Sequence, residues 1–165
     1  MNPPTFSPSL LAPKYWPAWL AIGLLWLMAK LPWPVQRRLG AGLGLLAWRL
    51  VSQRRNDTLI NLALCFPELD ESARESMGRD TFRNAGIGVF EATNAWFGNP
   101  EYYRSRITFE GLEHLRAAEA RGKGILLLGA HYSLLDLGAA MASLHFKVDT
   151  VYRPQKNLVF EYVMT

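Results

Sequence analysis

The sequence has a single cysteine, and it lacks a glycine-rich phosphate loop and any His or Cys pair with metal-ligand spacing. Cys65 therefore excludes an intrachain disulfide, and its apolar neighbours predict a small core residue. The missing phosphate loop argues against nucleotide binding. Ser133 has no G-x-S-x-G motif around it, which argues against a serine hydrolase. We expect no metal and no cofactor.

Acidic residues are absent from the first 56 positions, which hold seven Lys or Arg, whereas residues 57–165 carry 11 basic and 14 acidic side chains. A basic segment of this kind favours an anionic partner, either lipid headgroups or nucleic acid. Trp16, Trp26 and Trp33 lie within an apolar stretch, and tryptophan is typical of bilayer interfaces. The pattern favours a membrane and argues against nucleic-acid binding.

The N-terminal region, residues 1–36, is predicted to be a disordered lead over 1–13 followed by a membrane anchor. From Tyr15 to Val35 the only charged residue is Lys30, so a helix over this stretch reaches spanning length with Lys30 at the interface. Five arginines follow the stretch and only Lys14 precedes it, so the positive-inside rule places the rest of the chain in the cytoplasm. A soluble buried hairpin is the alternative.

Residues 37–107 are predicted to be an interfacial and helical segment. The short apolar run Leu39–Trp48 lies between arginines, which is typical of a helix lying in the membrane interface. Further helices are expected across 56–98, with a stop at Pro67 and a new start in the acidic stretch Asp70–Glu75.

Residues 108–165 are predicted to begin an α/β core. A short helix closed by Gly122 precedes the apolar run Gly124–Gly129, which is typical of a buried parallel strand. A helix is expected over 133–146 and a second strand over 147–152. The predicted fold class is therefore α/β: a membrane helix and helical segment, then the first part of a sheet domain.

The candidate catalytic pair is His131 and Asp136, which follow the first predicted strand. Reactive groups gather beyond the carboxyl ends of parallel strands. Residues five positions apart on a helix do not share a face. The pair therefore requires His131 to lie just before the helix and Asp136 to lie in its first turns. Asp136 would then orient the imidazole, which would take a proton from a hydroxyl. The alternative is a His that caps a helix and an Asp on a solvated face.

The second predicted strand is followed by Tyr152-Arg153-Pro154, so Arg153 is expected at the same edge of the sheet. A guanidinium binds phosphate through two parallel hydrogen bonds, and Lys156 and Asn157 would assist. The alternative is an ordinary exposed arginine.

These blocks together resemble the late acyltransferases of lipid A biosynthesis, the lauroyl and myristoyl transferases, within the glycerolipid acyltransferase superfamily. The resemblance is carried by the H-x-x-x-x-D pair His131 and Asp136 and by blocks at 61–67, 90–96, 124–131 and 151–157. It covers nearly the whole chain. Asn157 is followed by Leu158 where the family pattern has proline.

The resemblance implies an inner-membrane enzyme whose active site faces the cytoplasm. It implies transfer of an acyl chain from acyl carrier protein to a hydroxyl of a lipid A precursor. His131 would be the general base, Asp136 its partner, and Arg153 and Asn157 part of the block that binds acceptor phosphate. Family members are about twice as long, so the chain is expected to be the N-terminal half and, alone, inactive or poorly folded.

Two other functions stay open at this point. The acceptor of the acyl chain could be another membrane glycolipid or a phospholipid. A non-enzymatic membrane-surface protein is the third possibility, and it requires that His131 and Asp136 be freely replaceable.

Overall fold

The computed structural model describes residues 5–104, 107–129, 135–149, 151 and 153–164. Two short 3-10 turns, Pro8–Leu11 and Pro13–Tyr15, lead into the helices. The described part of the chain contains eight α-helices: α1 (Trp16–Lys30), α2 (Trp33–Leu50), α3 (Ser52–Cys65), α4 (Glu71–Phe97), α5 (Pro100–Arg104), α6 (Leu112–Glu119), α7 (Leu135–Ala142) and α8 (Leu158–Met164).

Helix α4 is the central element, and α1, α2, α3 and α7 all pack against it. Asp70 caps its start, because the carboxylate accepts a hydrogen bond of 2.7 Å from the backbone N–H of Ala73. The predicted helix start in the acidic stretch is thus confirmed. The helix ends at Phe97, and the backbone N–H of Gly98 closes the last turn on the carbonyl of Asn94.

Helices α2 and α4 pack through residues that recur every fourth position. On α2 these are Gln36, Gly40, Gly44 and Trp48, all buried. On α4 the matching set is Gly78, Phe82, Gly86, Phe90 and Asn94. The two sets run antiparallel, because Trp48 lies on Gly78 at one end and Gln36 bonds Asn94 at the other.

The backbones of α2 and α4 touch where glycines meet. A Cβ atom on Gly40 would lie 2.8 Å from the carbonyl oxygen of Gly86, and a Cβ on Gly44 would overlap the carbonyl of Phe82. Trp48 lies at one end of the α2–α4 interface, with its ring edge-on to that of Phe82 and 5.2 Å between the ring centroids. Small residues are what allow two helices to approach this closely.

A smaller apolar cluster joins the two ends of the chain. Leu10, Ala18, Ile22 and Val159 are its buried members, so the N-terminal turn, α1 and α8 share one core. The Trp19 indole N–H donates to the carbonyl of Leu10 at 2.8 Å. The prediction of a disordered lead is therefore wrong at Pro8–Leu11, where Leu10 is only 5% exposed.

The predicted α/β class is wrong for the part of the chain that the structure describes, which has helices and no strand or sheet. Residues 124–129 are irregular and solvent-exposed, with Leu126 and Leu128 at 92% and 96%. The described residues of 147–152 are irregular as well. A strand needs a neighbour for its backbone hydrogen bonds, and no described segment pairs with either stretch.

The predicted membrane-spanning helix is also wrong. Helix α1 has 15 residues, or about 22 Å at 1.5 Å per residue, against a hydrocarbon core of about 30 Å. Leu31 leaves the helical conformation before Pro32, so the apolar stretch divides into α1 and the start of α2. Among the described helices none combines the length and the apolar character needed to cross a membrane.

Most of the predicted helices are confirmed, with shifted ends. The run at 39–48 lies inside α2, and the expected stop before Pro67 is the end of α3. Gly122 has a φ of +64°, a left-handed conformation that favours glycine, just after α6. Cys65 is exposed at the end of α3, so its prediction as a core residue is wrong.

Candidate active site

Asp136 is the second residue of α7 and lies in its first turn, where a carboxylate is stabilised by the helix dipole. Leu137 and Met141 form the buried face of α7, whereas Asp136 is exposed to solvent. The helix packs against α4 and α5. The predicted position of Asp136, in the first turns of a helix, is the one that the structure shows.

His131 lies outside the described residues, as do Ala130 and the residues up to Leu134. The pairing of the His131 imidazole with the Asp136 carboxylate therefore stays a prediction. What the structure adds is an accessible carboxylate at the beginning of a helix that starts soon after His131 in the sequence.

Arg153 is exposed in an irregular segment that precedes α8. Asn157 has a structural task that the sequence analysis missed. Its Oδ1 accepts hydrogen bonds from the backbone N–H of Val159 at 2.9 Å and of Phe160 at 3.4 Å, so it caps the start of α8. The signal was present in the sequence, because Asn before an apolar run is a common helix start.

A buried amide pair joins α2 to α4, and the sequence analysis did not predict it. The Asn94 amide donates to Oε1 of Gln36 at 2.7 Å. The Gln36 amide donates in turn to Oδ1 of Asn94 at 3.3 Å and to the carbonyl of Leu31 at 2.7 Å. The two side chains are only 2% and 4% exposed, and these bonds satisfy both.

The same pair lines a cavity of about 460 Å³ between the α1–α2 turn and the end of α4. Its other polar groups include Lys30 and Asn99, and its apolar walls include Trp33 and Phe97. A cleft of about 220 Å³ lies beside it and shares Trp33 and Pro34 as a wall; Arg37 and Arg38 complete the cleft. No acidic side chain among the described residues lines either space.

Glu91 is half-buried on α4, one turn before Asn94. Removal from water disfavours the charged carboxylate, so burial raises the pKa of Glu91 above its ordinary value. Among the described residues no group of three His, Cys, Asp or Glu side chains could hold a metal ion.

Comparison with known proteins gives one family. Residues 3–165 match the profile of the bacterial lipid A biosynthesis acyltransferases. The chain is 42% identical over 164 residues to the lipid A biosynthesis lauroyltransferase of Escherichia coli (strain K12), covering 99% of this chain and 54% of that protein.

Two further relatives from the same organism give the same picture. The palmitoleoyltransferase is 35% identical over 97% of this chain and 52% of its own length. The myristoyltransferase is 32% identical over 97% of this chain and 50% of its own length. The chain thus spans about half the length of these curated relatives. No solved structure matches it significantly.

Proposed function

Because the chain belongs to the bacterial lipid A biosynthesis acyltransferases, we propose that it acts in the transfer of a fatty acyl chain to a hydroxyl of a lipid A precursor. The match over residues 3–165 is the observation that carries this proposal. The acyl donor we propose is the thioester of acyl carrier protein.

The proposed reaction is a direct attack of the lipid hydroxyl on the thioester. The imidazole of His131 takes the hydroxyl proton, and the oxygen forms a bond to the thioester carbonyl carbon. The carbon–sulfur bond then breaks, and the imidazolium gives its proton to the leaving thiolate, which restores the neutral base. Asp136 would orient the ring through the other nitrogen, as its exposed position at the start of α7 permits.

Arg153 is proposed to bind phosphate of the acceptor, which its exposure supports. Asn157 is proposed to assist through its amide nitrogen, since its oxygen already accepts the backbone N–H groups that begin α8. Replacement of Asn157 would therefore affect both the helix start and acceptor binding.

The proposed location is the cytoplasmic side of the bacterial inner membrane. Exposed apolar side chains support contact with a membrane, since those of Trp16, Leu20 and Leu24 on α1 are 60%, 76% and 60% exposed. Exposed apolar side chains on one side of a helix are typical of a membrane-contact surface. The chain would meet its lipid substrate there.

The test of the proposed base is His131→Ala in the complete protein, assayed for acyl transfer to membrane lipid. We expect a loss of about 10²–10⁴-fold, the usual contribution of a general base. The other two histidines supply matched controls: His114 is exposed on α6, and the His145 ring lies tilted against Phe109, with 4.5 Å between ring centroids. His114→Ala and His145→Ala should retain transfer.

The assay also separates the alternatives. Acylation of a phospholipid or another glycolipid, with His131 still required, would change the acceptor and keep the mechanism. Full activity of the His131→Ala and Asp136→Asn variants would contradict the assigned roles. No transfer by the wild-type protein, with membrane binding retained in both variants, would favour a non-enzymatic membrane-surface protein.

A further inference from the structure

Helix α2 carries glycine and amide residues toward α4 and large aliphatic residues away from it. The side that packs on α4 is buried and consists of Gln36, Gly40, Gly44 and Trp48. Five aliphatic side chains elsewhere on the helix are 38%, 49%, 52%, 50% and 72% exposed, and they belong to Val35, Leu39, Leu43, Leu46 and Leu50. We refer to these five residues as the α2 stripe.

The α2 stripe is a narrow band along the helix. At about 100° per residue its members fall within about 80° of one another, and the centre of the band is turned about 120° from the centre of the buried side. A surface helix in water has its apolar band toward the core. Helices surrounded by lipid instead place small residues at their contacts with other helices, which leaves the large apolar side chains for the acyl chains. The pattern of α2 is the second one.

Two arginines run along one edge of the α2 stripe. Arg38 and Arg49 are about three helical turns apart and lie on one line of the helix, about 90° from the centre of the stripe. Both are exposed, and no ion pair between described residues involves either of them. When the apolar face of such a helix lies among acyl chains, long basic side chains at its edge reach the lipid headgroups.

The same two arginines argue against a second copy of the chain as the cover of the α2 stripe. An antiparallel pair of α2 helices would bring Arg38 close to Arg49, and a parallel pair would bring each arginine close to its own equivalent. Like charges placed together disfavour an association. No Asp or Glu precedes Asp57 in the sequence, so α2 has no acidic residue to offset this repulsion.

We propose that α2 lies in the surface layer of an anionic lipid bilayer, with the α2 stripe among the acyl chains and Arg38 and Arg49 at the lipid phosphates. A guanidinium binds phosphate oxygens through paired hydrogen bonds. The helix axis then lies along the membrane plane, and α4 packs on the side of α2 that is turned away from the acyl chains. The inference rests on the proposed contact between the chain and a membrane, and it assigns that contact to one side of one helix.

The direct test places a fluorescent probe on the α2 stripe of the full chain. Leu46→Cys is combined with Cys65→Ser so that a single thiol remains, and this thiol is labelled with nitrobenzoxadiazole. Vesicles of phosphatidylcholine and phosphatidylglycerol carry a nitroxide quencher on their acyl chains. We expect the vesicles to quench most of the fluorescence at position 46. The control is Asn84→Cys with Cys65→Ser, since Asn84 is exposed on α4, and its probe should keep its fluorescence.

Substitutions test the two parts of the surface separately. Leu39→Gln with Leu46→Gln should weaken partitioning onto pure phosphatidylcholine and onto the mixed vesicles alike, by about tenfold. Arg38→Gln with Arg49→Gln should weaken partitioning onto the mixed vesicles alone, by about fivefold for each arginine.

Each pair of substitutions has a matched control. Ile60→Gln with Leu64→Gln removes aliphatic side chains of α3 that are 59% and 75% exposed. Arg37→Gln with Arg54→Gln removes the same charge from positions outside the line of Arg38 and Arg49. Circular dichroism checks that all four variants keep their helices. An equal loss in either control would overturn the proposal, because binding would then depend on total apolar area or on net charge.

The probe gives three further outcomes that would overturn the proposal. Equal quenching at positions 46 and 84 would show that the vesicles do not select α2. A probe at position 46 that is shielded from soluble iodide before vesicles are added would show that a second copy or another part of the chain covers the stripe, and sedimentation velocity separates these two. Binding without quenching at position 46 would overturn this inference alone, whereas no binding to any vesicle would overturn the proposed membrane contact as well. No acyl donor is needed, so acyl transfer is tested separately.

Discussion

Two polar residues of α4, Thr93 and Asn94, are nearly removed from water, and each has a hydrogen-bond partner. Asn94 is paired with Gln36, and Thr93 donates its hydroxyl to the carbonyl of Phe90 at 2.7 Å. A buried polar group costs little while it keeps its hydrogen bond and much more when it loses it. The effect of a substitution at these positions therefore depends on what it leaves without a partner.

Asn94→Leu should lower the free energy of unfolding by about 1–3 kcal/mol, because Oε1 of Gln36 would lose its donor in a buried site. Asn84→Leu is the matched control, since Asn84 lies on the same helix and is exposed. Urea unfolding measures both. A cost for Asn94→Leu no larger than that of the control would contradict the importance of the pair.

Glu91 predicts a pH dependence of stability. Burial raises the pKa of Glu91 in the folded chain, so the folded state holds this proton to a higher pH than the unfolded state does. The contribution of Glu91 therefore favours folding at acidic pH and diminishes as pH rises through the raised pKa. Glu91→Gln should remove this part of the slope in urea unfolding at several pH values.

The exposed Glu68 supplies the comparison for Glu91. Glu68→Gln should leave the dependence of unfolding on pH close to that of the wild-type chain. If the free energy of unfolding changed with pH equally in the Glu91→Gln and wild-type chains, the burial of Glu91 would have no effect on the pH dependence of stability.

The distance between helices α2 and α4 is limited by steric contact between their backbones. Gly44 faces the carbonyl of Phe82, whereas Gly42, two residues earlier, has no atom within 4 Å of the place its Cβ would take. Substitution of each glycine therefore gives two different stability changes. One includes the steric cost of a side chain at the contact, and the other shows only the general effect of replacing glycine in a helix.

Gly44→Ala should destabilise the chain by about 1–3 kcal/mol, since the added methyl group would push the two backbones apart. Gly42→Ala should instead stabilise it by about 0.5–1 kcal/mol, the usual gain from alanine in a helix interior. Chemical unfolding compares the two directly. A stabilising Gly44→Ala would mean that the two backbones do not touch at this glycine.

Local signals in the sequence predicted many of the helices, because caps and prolines act within a few residues. Asp70 caps α4, and Pro67 lies just beyond α3, as expected. Local signals do not decide whether a segment forms a strand. The apolar run 124–129 becomes a strand only when a second segment accepts and donates its backbone hydrogen bonds. The contact between Gln36 and Asn94, 58 residues apart in the sequence, could not be predicted, because local signals do not show which face of one helix meets which face of another.

At the scale of the whole molecule, burial is concentrated around α4 and exposure in the stretch before α7. Helix α4 is covered by four other helices, whereas residues 124–129 are exposed and irregular. The candidate catalytic pair follows this exposed stretch. Of the site, the sequence predicted the place of Asp136 in its helix; it missed the cap made by Asn157 and the cavity beside Gln36.

Amide hydrogen exchange should follow the same division. We expect the slowest exchange in the middle of α4, which is packed on several sides, and exchange near the rate of an unfolded peptide in residues 124–129. Mass spectrometry of peptic fragments measures both regions in one experiment. Strong protection of 124–129 in the isolated chain would indicate strand pairing and contradict the irregular, exposed conformation of this stretch.

The Gln36–Asn94 pair and the Trp48–Gly78 contact lie at opposite ends of one helix interface, and together they allow a single alignment. A slide of α2 by one turn toward either end of α4 would separate the two amides and leave them buried without each other. The indole of Trp48 would also leave the gap above Gly78, where a Cβ would lie 2.8 Å from the ring. The observed register is therefore favoured over its one-turn neighbours at both ends of the interface.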